Sequence, residues 1–280
     1  MNDVTDAQLL DVDGPLRDVL RHVYVIRRAG QAAAVPQQLV PNYEMLLLFN
    51  FGPDVPCWLG DRAYRIGQTA VLGPLKQLLR YEVPPGADLL VAVFTLNGFY
   101  RFAGEQTHRL RTTTLPRSGA WPNEPAVHDA WEQMARMASV TDRIEFLKAY
   151  TLLRLTPADA DTRSVIEGVS YFNNPAVDPV KALAQTRHLT TRSVQTRLQT
   201  NLGFSAKELA RFLRFKRIVT RLLAQHPQPP DWADLVLTGG YHDQSHLIKD
   251  FRQFLGMTPG EFIRQLADGT VCITQPGAHY

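Results

Sequence analysis

The chain has 280 residues, of which 45% are apolar and 20% are charged. A chain of this length usually forms two domains, and this composition is that of a globular protein, which excludes a largely disordered one. The net charge of +3 is uneven, since residues up to Asp161 carry a net −2 and those from Thr162 onward a net +5. This asymmetry favours an anionic partner for the C-terminal half, although chance alone also produces such differences.

Cysteine content and apolar runs exclude several further classes of protein. Cys57 and Cys272 lie in different halves and form no CxxC pair, so neither a zinc knuckle nor a disulfide framework is predicted. Residues 1–13 lack the basic and apolar stretches of a secretory signal. The longest apolar run, residues 89–96, is far shorter than the about 20 residues that a membrane helix needs. We therefore expect a cytoplasmic protein with no membrane partner.

The first hundred residues predict a β-rich domain. Seven short segments are rich in strand-forming residues and bounded by Gly, Pro, Asn or Asp: residues 22–28, 43–51, 57–60, 63–66, 70–72, 78–83 and 89–96. Such strands favour a small antiparallel β-barrel or sandwich. We expect apolar residues to fill its interior, either as plain core or as the lining of an effector site: Leu47, Phe49, Trp58 and Phe94.

Two amphipathic helices should follow the strands. Residues 126–139 and 141–155 repeat apolar side chains at helical spacing, and Thr141 is the expected N-cap of the second helix. Core packing explains most of these side chains, and part of the apolar face is a candidate dimer contact. We place an N-terminal domain at residues 1–157, with a helical segment at 125–156 and a linker at 156–161.

A first helix-turn-helix pattern lies at residues 178–203. Asp178 followed by Pro179 is typical of a helix start, and Thr190 is expected to begin a second helix. Gly203 is expected to end that helix in the left-handed conformation. Polar residues in the first turns of the second helix are typical of a helix that reads a major groove.

A long basic helix should follow this first unit. Residues 205–208, Ser-Ala-Lys-Glu, fit the S-x-x-E capping box. Charged and apolar residues then interleave at helical spacing as far as about Gln225, and Pro227 ends the pattern. The sequence therefore predicts a stiff connector.

A second helix-turn-helix pattern follows the connector. Asp231 should cap a short helix, and residues 239–240, both Gly, supply the turn. Residues 243–255 form the expected reading helix, ended by Gly256, and residues 258–266 begin with another capping box. Two reading helices about 34 Å apart can enter successive major grooves of B-DNA. The alternative is a generic helical bundle, because either unit alone also arises there.

The order of glycines, helix caps and apolar residues in this half resembles the pattern of a known protein family. Residues 239–246, Gly-Gly-Tyr-His-Asp-Gln-Ser-His, with 251–259, and residues 189–195 with 202–205, resemble the two units of bacterial AraC-type transcription regulators. The resemblance covers about 100 residues. It implies an all-α double helix-turn-helix domain at residues 162–268, followed by a tail at 269–280, and sequence-specific binding to double-stranded DNA.

The N-terminal half more loosely resembles the cupin-like sensory domain of one branch of these regulators. The whole chain is then an α+β multidomain protein, with a cupin-like antiparallel β-barrel and appended helices before the all-α domain. This likeness implies control by a small-molecule effector or a partner and allows a homodimer. It does not identify the effector, the promoter or the direction of regulation.

The resemblance also implies which side chains meet DNA. The base-facing positions are Arg192, Gln195 and Thr196 in the first unit and Gln244, Ser245, His246 and Lys249 in the second. Arginine forks onto guanine and glutamine pairs with adenine, which agrees with this assignment. The expected phosphate contacts, which position the protein without reading sequence, are Arg211, Arg214 and Arg252.

Two positions depart from the family pattern. His188 stands where the first turn usually has Gly, so that turn is expected to be strained or differently shaped. Val236 replaces a small Ala that normally allows close helix packing. Both departures affect the docking angle on DNA rather than the fold.

Metal-binding and cofactor sites are not predicted. Cupin-like barrels often hold a metal through a His-x-His pair, whereas this barrel segment has only His22 and then His108. We expect His22, His108 and His128 to be surface or hydrogen-bonded residues. The sequence predicts no metal, no cofactor and no catalytic residue.

Two alternatives from other functional classes stay open. Some DNA-repair methyl acceptors carry a similar DNA-binding half, and Cys57 would be the nucleophile of such an enzyme. Its strand-like surroundings lack a cationic partner that would activate the thiol. The second alternative is a DNA-architectural or purely protein-binding module, which a footprint on DNA distinguishes from a regulator.

Overall fold

A computed structural model of the chain describes residues 5–12, 14–29, 33–103, 125–157, 172, 178–202, 204–268 and 271–272. The chain divides into two compact units, Met1–Pro157 with Thr270–Tyr280, and Ala158–Gly269. The predictions for His108, Gly203 and most of the tail fall outside the described residues. The first unit is built mainly on strands and the second on helices.

The first unit contains two five-stranded sheets. The strands are β1 (Thr5–Asp11), β2 (Leu20–Arg28), β3 (Val35–Leu39), β4 (Met45–Asn50), β5 (Val55–Leu59), β6 (Arg62–Ile66), β7 (Thr69–Leu72), β8 (Leu79–Val83), β9 (Asp88–Phe94) and β10 (Val271–Cys272). Their orders are β1-β2-β9-β4-β7 and β10-β3-β8-β5-β6, and among the described strands only β10 pairs in parallel, with β3. The predicted antiparallel strands are confirmed. They form two sheets rather than one closed barrel, because strands such as β1 and β7 have a neighbour on one side only.

The space between the two sheets is filled by an apolar core. Alternate residues of several strands face inward, among them Leu46, Leu48, Val55, Cys57, Leu79 and Val91. The four residues expected there do not face this space. Leu47, Phe49 and Phe94 pack on the opposite face of the first sheet, and Trp58, half-buried, alternates with the inward-facing Cys57. Because β4 is buried on both faces, its apolar pattern does not reveal which residues face inward.

Three helices cover the outer face of the first sheet. They are α1 (Leu96–Ala103), α2 (Pro125–Ala135) and α3 (Val140–Arg154). Buried side chains from all three join the core on this face: Phe99, Phe102, Val127, Met134 and Leu147. Arg143 of α3 donates to Asp88 Oδ2 at 2.8 Å and lies over the Phe51 ring at 4.1 Å. The cap of α3 is Ser139 rather than the expected Thr141, whose own N–H the Ser139 hydroxyl accepts.

The second unit is all-helical in its described residues. Its helices are α4 (Pro179–Thr186), α5 (Thr191–Leu202), α6 (Ala206–Gln225), α7 (Trp232–Gly239), α8 (Gln244–Leu255) and α9 (Pro259–Ala267). The predicted side-chain caps form at Asp178, Ser205, Asp231 and Thr258. Asp243, expected as the first residue of the reading helix, caps it instead. Within the described ranges, no helix has the length and apolar composition needed to cross a bilayer.

Candidate nucleic-acid interface

Helix α5 is the second helix of the first helix-turn-helix unit. Val194 and Leu198 are completely buried, so they anchor the helix in the core. The hydroxyl of Thr190 accepts the backbone N–H of Ser193 at 3.1 Å and stabilises the first turn. The three predicted base-facing residues are all exposed: Arg192, Gln195 and Thr196. The helix therefore carries these polar side chains on its solvent face, where a major groove could meet them.

The turn before α5 has the unusual shape that the sequence indicated. His188 has φ of 53° and is the one non-glycine residue with positive φ among the described residues. This left-handed conformation costs an L-residue roughly 1–2 kcal/mol, whereas glycine adopts it readily. The strain predicted for this turn is therefore confirmed.

Replacing His188 with Gly should raise the free energy of unfolding by up to about 1 kcal/mol, because the left-handed penalty exceeds the entropy that glycine gains in the unfolded chain. Urea denaturation of the full chain checks this value. The matched control is His242→Gly, which lies in a turn without positive φ. We expect the control to be slightly destabilised, and a loss of stability in both variants would contradict a strained His188.

Helix α8 is the second helix of the second unit. Leu247 and Phe251 are completely buried and anchor it against the core. Asp243 accepts the backbone N–H of His246 at 2.7 Å, and Gly256 ends the helix with φ of 72°. Of the predicted DNA-facing side chains on α8, four are exposed: Gln244, Ser245, Lys249 and Arg252. His246 is half-buried.

Helix α7 lies close against the long helix α6. A Cβ on Gly239 would overlap Ile218 Cδ1, so a larger residue there would require the Ile218 side chain to shift. The sequence had instead indicated Val236 as the position where helix packing would be close, and this side chain is half-buried. Gly240 follows with φ of 73° and turns the chain toward α8.

A buried carboxylate joins α6 to α8. Asp250 has no exposed surface and accepts hydrogen bonds from Arg211 Nε at 2.6 Å, Arg214 at 3.4 Å and the Tyr241 hydroxyl at 2.9 Å. Burial, reinforced by Asp250, raises the pKa of Tyr241, so the phenol is the proton donor. We call Arg211, Arg214, Tyr241, His246 and Asp250 the Asp250 cluster.

The Asp250 cluster was not predicted from the sequence, although one signal was present. Asp250 lies three residues after Leu247 and four before Phe254, both buried, so its position is on the inward face of α8. An acidic residue at a core position needs a buried partner. The pattern could therefore have identified the carboxylate, but not its two arginine partners, which are 36 and 39 residues earlier in the chain.

The cluster bears directly on three predicted DNA contacts. Arg211 and Arg214, expected at phosphates, direct their guanidinium groups to Asp250, and their side chains are 34% and 23% exposed. Arg214 also lies 3.1 Å from His246 Nε2, one of the expected base contacts. In the free protein these contacts join α6 to α8. A phosphate role for the two arginines stays a prediction, as it does for the exposed Arg252.

One buried histidine corrects an expectation for the first unit. His22 has no exposed surface, and neither ring nitrogen has a hydrogen-bond partner among the described residues. It is therefore not the surface or hydrogen-bonded residue that we expected. Burial, with a smaller effect of Arg21, lowers the pKa of His22 to about 4, while Asp11 opposes the shift. His128, by contrast, is exposed and lies 3.5 Å from Glu132.

Cys57 does not have the surroundings of a reactive thiol. Its side chain is completely buried in the core between the sheets, and burial raises the pKa of the thiol to about 11. Since the thiolate is the nucleophile, this environment disfavours the methyl-acceptor alternative. In the described part of the chain, no group of three or more His, Cys, Asp or Glu side chains is arranged to hold a metal ion.

Comparison with known proteins identifies the helical unit. Residues 183–265 match the family described as a helix-turn-helix domain, which is AraC-type. Among curated proteins, nothing matches the chain. The solved structures that resemble it include ToxT from Vibrio cholerae, with 9% identity, coverage of 86% of this chain and 97% of ToxT, and a TM-score of 0.45.

Two further structures show similar values. ToxT from Vibrio cholerae bound to (E)-4-(8-methylnaphthalen-1-yl)but-3-enoic acid has 12% identity, coverage of 93% and 99%, and a TM-score of 0.44. The AraC-like transcriptional activator CuxR has 9% identity, coverage of 79% and 87%, and a TM-score of 0.33. At such scores the likeness supports no conclusion about activity. From the match to residues 183–265, this chain carries an AraC-type helix-turn-helix domain.

Proposed function

We propose that this chain is a transcription regulator that recognises specific promoter sequences in the cytoplasm through α5 and α8, each placed in a major groove. One observation carries the proposal: both helices bury an apolar face and expose polar side chains in their first turns, with Arg192 and Gln244 exposed. A helix with buried anchors and exposed polar groups can meet base edges without losing its packing. We propose that the chain has two domains, residues 1–157 and 162–268, followed by a tail at 269–280.

The proposed base contacts remain those implied by the family resemblance. They are Arg192, Gln195 and Thr196 on α5 and Gln244, Ser245, His246 and Lys249 on α8. Arg252 is the phosphate contact that exposure supports best, since Arg211 and Arg214 are engaged with Asp250. Contacts with base edges determine which DNA sequence is bound, whereas contacts with phosphate only position the protein.

A footprint on the DNA upstream of the gene for this protein tests the proposal. A discrete protected site of about two helical turns per monomer is expected, because two reading helices enter successive major grooves. Uniform coating of the DNA would contradict a regulator and favour an architectural protein. The absence of any protection there and in a randomised DNA pool would contradict sequence-specific binding altogether.

The two kinds of contact should respond differently to substitution. Arg192→Ala should relax the preference at one base pair and weaken specific binding by roughly 1–3 kcal/mol. Arg252→Ala should weaken binding to all sequences and lower the slope of log affinity against log salt by about one. Titrations of specific and random DNA at several salt concentrations measure both quantities. Exchanged results would show that the two residues have exchanged roles.

We further propose that the N-terminal unit senses a small molecule or a partner and forms a homodimer. The unpartnered ring nitrogens of buried His22 support a polar ligand, and the exposed Leu152 and Leu153 of α3, at 41% and 86%, support a dimer contact. A ligand that binds the folded state raises the melting temperature. Sensing is tested by screening metabolites for a change in melting temperature and then for a change in DNA affinity. The dimer is tested by comparing the sedimentation of Leu153→Glu with that of wild type. If no metabolite changed the melting temperature or the DNA affinity, the sensing proposal would be contradicted. If wild type and Leu153→Glu both sedimented as monomers, the dimer proposal would be contradicted.

A further inference from the structure

We propose that Arg214, positioned by Asp250, selects the tautomer of His246 that carries its proton on Nδ1, so that His246 offers DNA a hydrogen-bond donor. This makes Arg214, Asp250 and Tyr241 positioning residues for sequence recognition. The inference about DNA rests on the proposed function, whereas the inference about the proton concerns the free protein alone.

The direction of one hydrogen bond carries the argument. The Arg214 guanidinium lies 3.1 Å from His246 Nε2. A guanidinium has five N–H donors and no acceptor, so Nε2 must supply the lone pair. A neutral imidazole carries one proton, which is then on Nδ1. The contact with Arg214 therefore selects the Nδ1–H tautomer.

Two groups hold Arg214 in place, the Asp250 carboxylate and the Tyr241 ring. Its guanidinium donates to Asp250 Oδ2 at 3.4 Å and lies over the Tyr241 ring at 4.5 Å. The Tyr241 hydroxyl donates to the same carboxylate at 2.9 Å, and its ring meets His246 edge-on at 5.2 Å. Asp250 is completely buried, so the arrangement is fixed from within the core. Arg214 is thereby kept against His246 before DNA arrives.

The carboxylates near His246 already have partners. Asp250 accepts from Arg211, Arg214 and Tyr241, and Asp243 accepts the backbone N–H of His246. With Nε2 accepting from Arg214, the neutral ring offers its donor on Nδ1.

A donor at this position discriminates among base pairs. In the major groove guanine offers N7 and O6 as acceptors and thymine offers O4, whereas cytosine offers only the N4 amino donor. We expect the base that faces His246 to present an acceptor and cytosine to be rejected. Without Arg214 the ring could exchange tautomers and accept from cytosine as well.

Nitrogen-15 spectroscopy of the free full-length protein tests the tautomer. At a pH where the ring is neutral, wild type should show a protonated Nδ1 and an unprotonated Nε2 for His246. Arg214→Met should shift the signals toward the Nε2–H form, and Arg214→Lys, which retains a donor, should restore the wild-type pattern. Lys207→Met removes an exposed charge from the same helix and should change nothing. A wild-type ring protonated on Nε2 would overturn the inference.

Selection from a randomised DNA site tests the consequence. Wild type should disfavour cytosine by about tenfold at one base pair, and Arg214→Met should lose this preference while keeping the one set by Arg192. An equal loss of affinity on every sequence, with a lower salt slope, would instead make Arg214 a phosphate contact and overturn the inference. Failure of wild type to select any sequence would contradict the proposed function, but would leave the spectroscopic result standing.

Discussion

Asp250→Ala is expected to lower the free energy of unfolding of the helical unit by about 3 kcal/mol. Breaking a buried ion pair from one side usually costs about 3–5 kcal/mol, because the remaining charges lose their partner without regaining full solvation. Here two guanidinium groups and the Tyr241 hydroxyl all lose their acceptor. The lower end of the range applies because the side chains of Arg211 and Arg214 reach solvent in part.

Denaturant unfolding followed by the helical signal of the full chain measures this effect. Asp268→Ala is the matched control, since it removes the same charge from an exposed position at the end of α9. A change within about 0.5 kcal/mol is expected for the control. If both substitutions proved equally mild, Asp250 would not be the buried acceptor that connects α6 to α8.

The stability of the strand unit should fall as the solution is acidified, and His22 should account for much of the fall. Burial lowers the pKa of His22 from an ordinary 6.5 to about 4, so the unfolded chain binds its proton first. The free energy of unfolding that depends on the neutral, buried ring is therefore fully present above pH 6.5 and is lost as the pH falls toward 4. The shift corresponds to a loss on the order of 3 kcal/mol between these two values.

Unfolding of wild type and His22→Leu across this pH range tests the prediction. The variant should lose the part of the pH dependence that His22 supplies, and at neutral pH it should be at least as stable, because an apolar side chain needs no hydrogen-bond partner. His128→Gln, at an exposed position, should keep the wild-type profile. Parallel profiles for wild type and His22→Leu would contradict the burial of a neutral imidazole.

Local sequence signals predicted the helical unit accurately. A cap acts within three or four residues, so it can be read directly from the chain. Ser205 with Glu208 and Thr258 with Glu261 both form the expected capping boxes, and Gly256 ends α8 in the left-handed conformation. The strained turn at His188 was predicted for the same reason, because it follows from one residue in a glycine position.

The strand unit was predicted in outline and missed in detail. β1 and β3 were not predicted, since their sequences, with Gln8 in one and Pro36 and two glutamines in the other, carry a weak strand signal. Pairing with β2 and β8 makes them strands. α1 was not predicted, and only its first residue, Leu96, was placed at the end of a strand, because Leu96 continues the apolar run of β9.

By itself, the amino-acid sequence determined where the helices of the second unit begin and end and where most strands of the first sheet and its partner lie, because caps, turns and periodicity depend on neighbours in the chain. Only the tertiary structure decided which face of β4 meets the second sheet, how His22 is buried, and that Asp250 binds arginines 36 and 39 residues away. These outcomes depend on contacts between distant segments, and the alternation of an all-apolar strand is equally compatible with either face.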